Sequence, residues 1–466
     1  MSIYNNLKVL FILLLLLFSS LVLYRYLGDF KFKLNILNLI LSYTFFIIAI
    51  SSIIIFLKKN IKENSFPLFP LIITYFIITY GLGFELVNDY FGNINQIVFT
   101  KAYIVMNLGL IFFALGYFTT KNLLRRNGEL NILKCENYNF ILLFGLILIF
   151  FNILNKFYLF IPGKLDQVIQ PTISIGCGII FYYFVIFKNI KKYFLLLPIL
   201  FIIFLEILKS SYVYPSTIIL QYFIIIFIVK KKIPLIHLAI FLLIFIFLHS
   251  FKHEFRKYVT ISQNYNTIDK SKFFLEVYGS KILEKKNTSV FVVINERDNK
   301  RNNYFRLAHS FLSLIIIVEK TPIQVEYLYG NSYKILLSKF IPRLFWKNKP
   351  TDDYANYAGR RYEVLHQQDL KTSWNFPILN EAYANFGYLG VSIIMFFLGI
   401  LVRILTNLFS ISNFKNYESY IGVYICSTTF FWEPHLSLVF GGIHLVIIFL
   451  YVSCIFYNLL IKKINA

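Results

Sequence analysis

Charge is scarce in this chain. Asp, Glu, Lys and Arg make up 15% of its 466 residues, against roughly 25% in soluble globular domains. That shortage excludes an ordinary water-soluble fold. Cysteine is scarce too, at four residues. Cys135 falls in a polar loop, and Cys177, Cys426 and Cys454 fall in apolar runs. No two share a loop at metal-ligand spacing, which argues against a disulfide framework and against a zinc site. A P-loop, HExxH, GxSxG and an Asp-x-Asp nucleotide-sugar motif are all missing. These absences speak against a cytoplasmic, nucleotide-using enzyme, and no metal or cofactor is expected. No repeat of 20–50 residues is visible either.

What is present is hydrocarbon. Hydrophobic residues make up 58% of the chain, and mean hydropathy is +0.66. Apolar runs of about 20 residues recur, the length needed to cross a bilayer as a helix. Twelve candidate spans fall at 8–24, 35–57, 67–86, 99–119, 140–160, 171–188, 193–209, 213–229, 233–250, 384–403, 419–437 and 441–460. The first lacks an Ala-x-Ala-like cleavage site and reads as a retained helix rather than a signal peptide. The expected fold is therefore all-α and polytopic. Residues 1–250 hold the first nine spans, 251–383 one large loop, and 384–466 the last three.

The formal net charge is +23. Much of it is topological, so nucleic acid is not expected as a partner. With a cytoplasmic N-terminus, the inner loops and termini carry 18 Lys and Arg, while the short outer loops and nearby span ends carry seven. The cation bias then places both termini inside and residues 251–383 outside. That loop holds 21 Lys and Arg against 13 Asp and Glu, an excess against the topological trend. Within it, "FLSLIIIV" (311–318) is too short to span and reads as part of an interfacial or buried helix. "YKILLSKF" (333–340) places Leu336, Leu337, Phe340 and Ile341 on one side at helical spacing. That suits a helix lying in the membrane interface, ended by Pro342.

"IPRLFWKNKP" (341–350) follows directly. Arg343, Lys347 and Lys349, with Lys339 just upstream, surround Trp346 between two prolines. An arginine fork matches phosphate oxygens and a lysine supplies a point charge. The arrangement suits a lipid diphosphate, and equally a generic anionic headgroup. Trp346 suits sugar stacking or interfacial anchoring. Arg360 and Arg361 form a second basic pair, able to clamp a diphosphate together with Arg343 or to sit solvated. Asp352, Asp353, Glu363 and Glu381 are the acids nearby. Glu433 and His435 fall toward the outer end of the eleventh span, where ionisable residues are costly and point to function or to interhelical hydrogen bonds. In "NEAYANFGYLG" (380–390), Glu381 and Asn385 lie one helical turn apart, on a face aimed at the loop.

These residues carry a family resemblance. The multi-span architecture, the large late outer loop, Pro342, Arg343, Trp346, Lys349 and Pro350, and then Glu381, Asn385, Phe386, Gly387 and Gly390 resemble O-antigen polymerases of the Wzy type, in the oligosaccharide repeat unit polymerase group. The resemblance implies a fold similar to the GT-C lipid-sugar glycosyltransferases. It implies transfer of a glycan from undecaprenyl diphosphate onto a new lipid-linked repeat unit at the outer face of the bacterial cytoplasmic membrane. Membrane lipids, a chain-length regulator and a flippase are the implied partners.

In that chemistry negative charge builds on the departing diphosphate, where cations stabilise it. Arg343 with Arg360 or Arg361 is the expected diphosphate site. The acceptor's proton would go to His309, His366 or Glu381. Lys339, Trp346, Lys349, Asn385, Glu433 and His435 are the expected substrate-binding residues. An O-antigen ligase, which passes the glycan to lipid A core, and a lipid-linked glycan flippase are the alternatives. A flippase would place charges in mid-span along a path, and the first six spans show almost none.

Overall fold

The structure is a computed structural model. It describes residues 35–60, 67–81, 95–120, 138–158, 166–187, 190–208, 212–230, 234–250, 270–272, 274–276, 309–341, 346–409, 417–429 and 432–441, with single positions between 443 and 459. Among the described residues the regular structure is helical, with no strand. Also among the described residues, four helices are long and apolar enough to cross a membrane: Ile36–Lys58, Gln96–Thr119, Val213–Lys230 and Ile378–Leu408. The sequence run at 8–24 lies outside the described residues. The chain divides into two compact units.

The first unit contains α1 (Ile36–Asn60), α2 (Leu68–Phe76, continued by a π turn, Ile77–Gly81), α3 (Gln96–Thr119) and α12 (Ile378–Leu408). It also contains most of the described loop region. An asparagine precedes each of α1 and α3. Asn35 Oδ1 accepts from Asn38 N at 2.8 Å, and Asn95 Oδ1 accepts from Ile97 N at 3.0 Å, so each side chain satisfies an orphan amide of the first turn. Polar contacts then tie α1 to α3. Asn38 Nδ2 donates to Gln96 Oε1 at 3.0 Å, Thr100 Oγ1 donates to Asn38 Oδ1 at 2.7 Å, and Asn107 Nδ2 donates to Leu41 O at 3.0 Å. Such bonds add directional specificity between otherwise interchangeable apolar surfaces.

The most extensive helix pair of this unit is α3 with α12, and glycines set its spacing. A Cβ at Gly116 would lie 2.0 Å from Phe396 O, and one at Gly399 would lie 2.2 Å from Phe113 O. Each backbone occupies the space a side chain would need.

The helix α12 starts earlier than the apolar run that marks it in the sequence. It begins at Ile378, just after Pro377, and breaks at Phe386 (φ −145°, ψ 17°) and Gly387 (φ 63°, ψ −143°). The run at 419–437 also differs from a single span. The helix α13 (Tyr417–Thr428) stops, residues 432–435 are non-helical, and a short helix, α14 (Leu436–Phe440), follows. Pro434 disfavours helix at Glu433 and has no amide to donate.

The second unit contains α4 (Tyr138–Tyr158), α5 (Asp166–Ile186), α6 (Leu197–Ile207), α7 (Val213–Lys230), α8 (Leu235–Ser250) and most of α13. The α4–α5 pair is again glycine-spaced: a Cβ at Gly176 would lie 2.8 Å from Gly145 O. Asn152 Nδ2 donates to Thr172 Oγ1 across it at 2.7 Å. Phe181, Tyr193, Ile199, Tyr222 and Phe241 help to line an almost wholly apolar cavity of about 570 Å³ in this unit.

Candidate functional site

The site lies in the first unit, where the loop region meets the N-terminal half of α12. Its floor is α9 (309–320), a helix with Phe311, Leu314, Ile315 and Ile317 fully buried. That is the buried alternative for "FLSLIIIV". Asn380 holds α9 in place. Its Nδ2 donates to Ser310 O at 2.9 Å and Ser313 Oγ at 2.8 Å, while its Oδ1 accepts from Tyr80 Oη at 2.8 Å.

The break in α12 shapes the next layer. Interrupting the helix at residues 386–387 frees carbonyls just upstream. Leu328 N donates to Ala384 O at 2.9 Å, and Tyr329 N donates to Asn385 O at 3.2 Å. Asn385 completes the clamp. Its Oδ1 accepts from Gly330 N, and its Nδ2 donates to Ser332 Oγ and Glu381 O, each at 2.8 Å. Asn385 is thus fully engaged with the protein and positions the 328–332 turn.

That turn leads into a 3₁₀ turn (Asn331–Tyr333) and α10 (Lys334–Lys339). Leu337 and Phe340 are 75% and 62% exposed, and Ile341 is exposed as well. Lys339 points the other way. Its Nζ lies 2.8 Å from Asp352 Oδ2, and Asp352 Oδ1 lies 2.9 Å from His435 Nε2. Ser437 Oγ donates to Asp352 Oδ2. His435 is wholly buried, with the Tyr354 ring edge-on at 4.9 Å. Behind it Leu436 N donates to Glu381 Oε2 at 2.8 Å. Trp432, packed against Phe76, Phe113 and Phe440, fixes the 432–437 segment.

Burial alone would push the Asp352 carboxyl up. The hydrogen bonds from His435, Lys339 and Ser437 outweigh it and hold the group well below the usual carboxylate range. Asp352 is therefore an anion in a wall of donors. In the neutral tautomer that carries its proton on Nε2, His435 donates to Asp352 and Nδ1 is an acceptor. Nδ1 is buried with no hydrogen-bond partner among the described residues. Ser437 bonds the carboxylate rather than the imidazole, so this is not the relay of a serine nucleophile. Among the described residues no group of three or more His, Cys, Asp or Glu is placed to hold a metal ion.

The other residues singled out in the sequence are placed as follows. Arg343 falls in 342–345, outside the described residues. Lys349 Nζ donates to Ile341 O at 2.9 Å, joining the two ends of that segment, and Trp346 beside it is partly exposed. Arg360 and Arg361 end α11 (Tyr354–Arg361). Arg361 donates to Tyr357 Oη and to Glu326 O, each at 2.8 Å. Arg360 donates through Nε to Asn356 Oδ1 at 3.0 Å.

His309 is buried with its ring 4.8 Å from Trp374. His366 is exposed, and its Nδ1 accepts from Gln368 N at 3.3 Å. Glu433 is half-buried near Tyr75. The structure thus brings Lys339, Glu381 and His435 together. Asp352, which bonds Lys339 and His435, stands out in the sequence only as a nearby acid. Its signal was there: a carboxylate pair, Asp352-Asp353, directly after the basic stretch.

Comparison with curated proteins and with solved structures gives no match. One family does match, described as a domain of unknown function, DUF8712, over residues 71–465. That range covers most of the chain, reaches into both units and includes every residue of the site, and the chain belongs to the DUF8712 family.

Proposed function

We propose that this protein polymerises oligosaccharide repeat units carried on undecaprenyl diphosphate into an O-antigen or capsular-type polysaccharide. It works at the outer face of the bacterial cytoplasmic membrane, as a glycosyltransferase of about twelve spans with a GT-C-like fold. Both termini lie in the cytoplasm and the 251–383 region lies outside. The observation that carries this reading is the two-sidedness of α10. The helix turns Leu337 and Phe340 outward and Lys339 inward, onto Asp352 and His435. Apolar side chains that rest in lipid and ionisable groups that do chemistry thereby occupy different faces of one short helix, as a lipid-borne, water-facing reaction requires.

Arg343, Lys347 and Lys349 follow α10 and supply the cations for a leaving diphosphate. Arg360 adds a further fork, since among the described residues its terminal nitrogens make no hydrogen bond. Arg361 is committed to the loop backbone and supports α11 instead. Membrane lipids, a flippase and a chain-length regulator are the partners this role requires.

Deleting the gene in its source cell tests the reading. The expected phenotype is surface glycan of a single repeat, restored to a ladder by the wild-type gene. Loss of all glycan from the lipid core would instead identify a ligase, and repeats retained on the cytoplasmic side would identify a flippase. Within the polymerase reading, Arg343→Ala is expected to abolish the ladder, and a normal ladder from that variant would overturn the diphosphate role.

A further inference from the structure

We infer that His435 is the general base of the transfer, with Asp352 as its positioning residue. This assignment rests on the polymerase reading above. A general base must be a proton acceptor held in one orientation, with a neighbour that stabilises the charge it acquires. His435 meets these conditions by geometry. Its Nε2 is tied to Asp352 Oδ1 at 2.9 Å, its ring is braced by Tyr354, and its Nδ1 is left as an unpartnered acceptor. Asp352 is locked in turn through its other oxygen by Lys339 and Ser437. The charged and titratable groups around the imidazole are Asp352, Lys339 beyond it, Glu381 from α12 and Tyr354 from α11.

The three bases suggested by the sequence are placed differently. His366 Nδ1 accepts the Gln368 amide, and the His309 ring packs tilted against Trp374. Glu381 accepts the Leu436 amide through Oε2, while its Oε1, like His435 Nδ1, has no hydrogen-bond partner among the described residues. His435 differs from all three in having a carboxylate, Asp352, held against its other ring nitrogen.

The step balances. The acceptor hydroxyl oxygen forms a bond to the anomeric carbon of the donor glycan. The bond from that carbon to the diphosphate oxygen breaks, and its electron pair leaves with the diphosphate. The hydroxyl proton passes to His435 Nδ1. The resulting imidazolium sits against the Asp352 carboxylate until water or the departing diphosphate takes the proton.

His435→Gln discriminates a base from a structural link, because a glutamine amide still donates to Asp352 but takes no proton. Expressed in the deletion strain, and matched to wild type for protein in the membrane fraction, His435→Gln is expected to lower polymer by about 100-fold or more. Asp352→Asn is expected to fall between the two. A normal ladder from His435→Gln overturns the base assignment alone. A normal ladder in the deletion strain itself overturns the polymerase reading, and the assignment with it.

A second measurement does not depend on activity or on the variant folding. Nitrogen-15 NMR of ring-labelled histidine in detergent-solubilised wild-type protein reports the tautomer, with His435→Gln or His435→Asn used to assign the resonance where either variant accumulates and single-site labelling of His435 used otherwise. A neutral Nε2–H tautomer with bare Nδ1 is expected, and loss of that preference in Asp352→Asn supports the positioning role. An Nδ1–H tautomer in the wild type overturns the proposal.

Discussion

Asp352 Oδ1 and His435 Nε2 meet at 2.9 Å across 83 residues of sequence. One comes from the loop after the basic stretch and the other from the non-helical segment that interrupts the last apolar runs. The contact therefore ties two distant segments of one unit at a buried point. Asp352→Ala would leave the wholly buried His435 and the Lys339 ammonium without their anion, a change that destabilises by about 3 kcal/mol in comparable buried pairs. Asp352→Asn would be milder, since the amide still accepts from one donor. Thermal unfolding in detergent should rank the proteins wild type, Asp352→Asn, Asp352→Ala.

The pH dependence of that ranking has a definite sign. The folded-state pKa of Asp352 is depressed below its ordinary value of 3.8. A depressed carboxylate contributes stability that is complete above the unfolded-state value and is lost as pH falls through the folded-state value. The part of the Tm difference between wild type and Asp352→Asn that rests on this carboxylate should therefore shrink below about pH 4. A difference that did not shrink there would contradict the ionised carboxylate.

Gly387 sits at φ 63° and ψ −143°, a region that only glycine enters freely, and a Cβ there would lie 2.7 Å from Tyr327 Oη. Gly387→Ala should lower stability by about 1–3 kcal/mol. Removing the clashing hydroxyl with Tyr327→Phe should not restore it. The Tyr327 ring carbons remain within 3.2–3.3 Å, and the backbone strain is untouched. Full rescue by the double variant in a melting experiment would show that the clash, rather than the dihedral angle, sets the requirement.

The α3–α12 crossing makes a sharper contrast. Gly399→Ala directs a methyl at Phe113 O, 2.2 Å away, with backbone rather than a flexible side chain in its path. Gly178, in the second unit, has only Gln221 Oε1 at 3.5 Å and Tyr420 Cδ1 at 3.9 Å, both ordinary contacts. Gly399→Ala should reduce the folded protein recovered from membranes severalfold, and Gly178→Ala should leave it near wild type. Equal recovery of the two would mean that the crossing is not glycine-limited.

The helices were legible because apolar runs of bilayer length announce themselves in any sequence. Their ends were less so. Ile378 to Tyr383 belong to α12, yet Asn380 and Glu381 dilute the hydropathy there; in the fold Asn380 is buried on Tyr80, Ser310 and Ser313, and Glu381 Oε2 on the Leu436 amide. The break at Gly387 was equally hidden, since a glycine in an apolar helix ordinarily reads as a packing residue. Lys339, Glu381 and His435 could each be suspected alone. Asp352 could not be joined to them, because no periodicity relates a loop acid to a histidine beyond the following helices. Asn385 shows the reverse. It was legible as polar and facing the loop, but its amide is spent on Gly330, Ser332 and Glu381, so its role is architectural.

Arg360 and Arg361 look identical in sequence and should behave oppositely. Arg361 bonds Tyr357 and the Glu326 carbonyl, tying the end of α11 to the 321–330 turn. Arg361→Ala should lower stability by about 1 kcal/mol, the net value of a typical hydrogen bond in a partly exposed setting. Any loss of polymer should follow the loss of protein. Arg360 spends only Nε on Asn356 and keeps its terminal fork. Arg360→Ala should melt close to wild type yet shorten the glycan ladder, while Arg360→Lys should recover it only in part, because the charge returns without the fork. Melting curves and ladders from the same membrane preparations separate the two effects. A wild-type ladder from Arg360→Ala would remove Arg360 from the diphosphate site and leave Arg343 as its arginine.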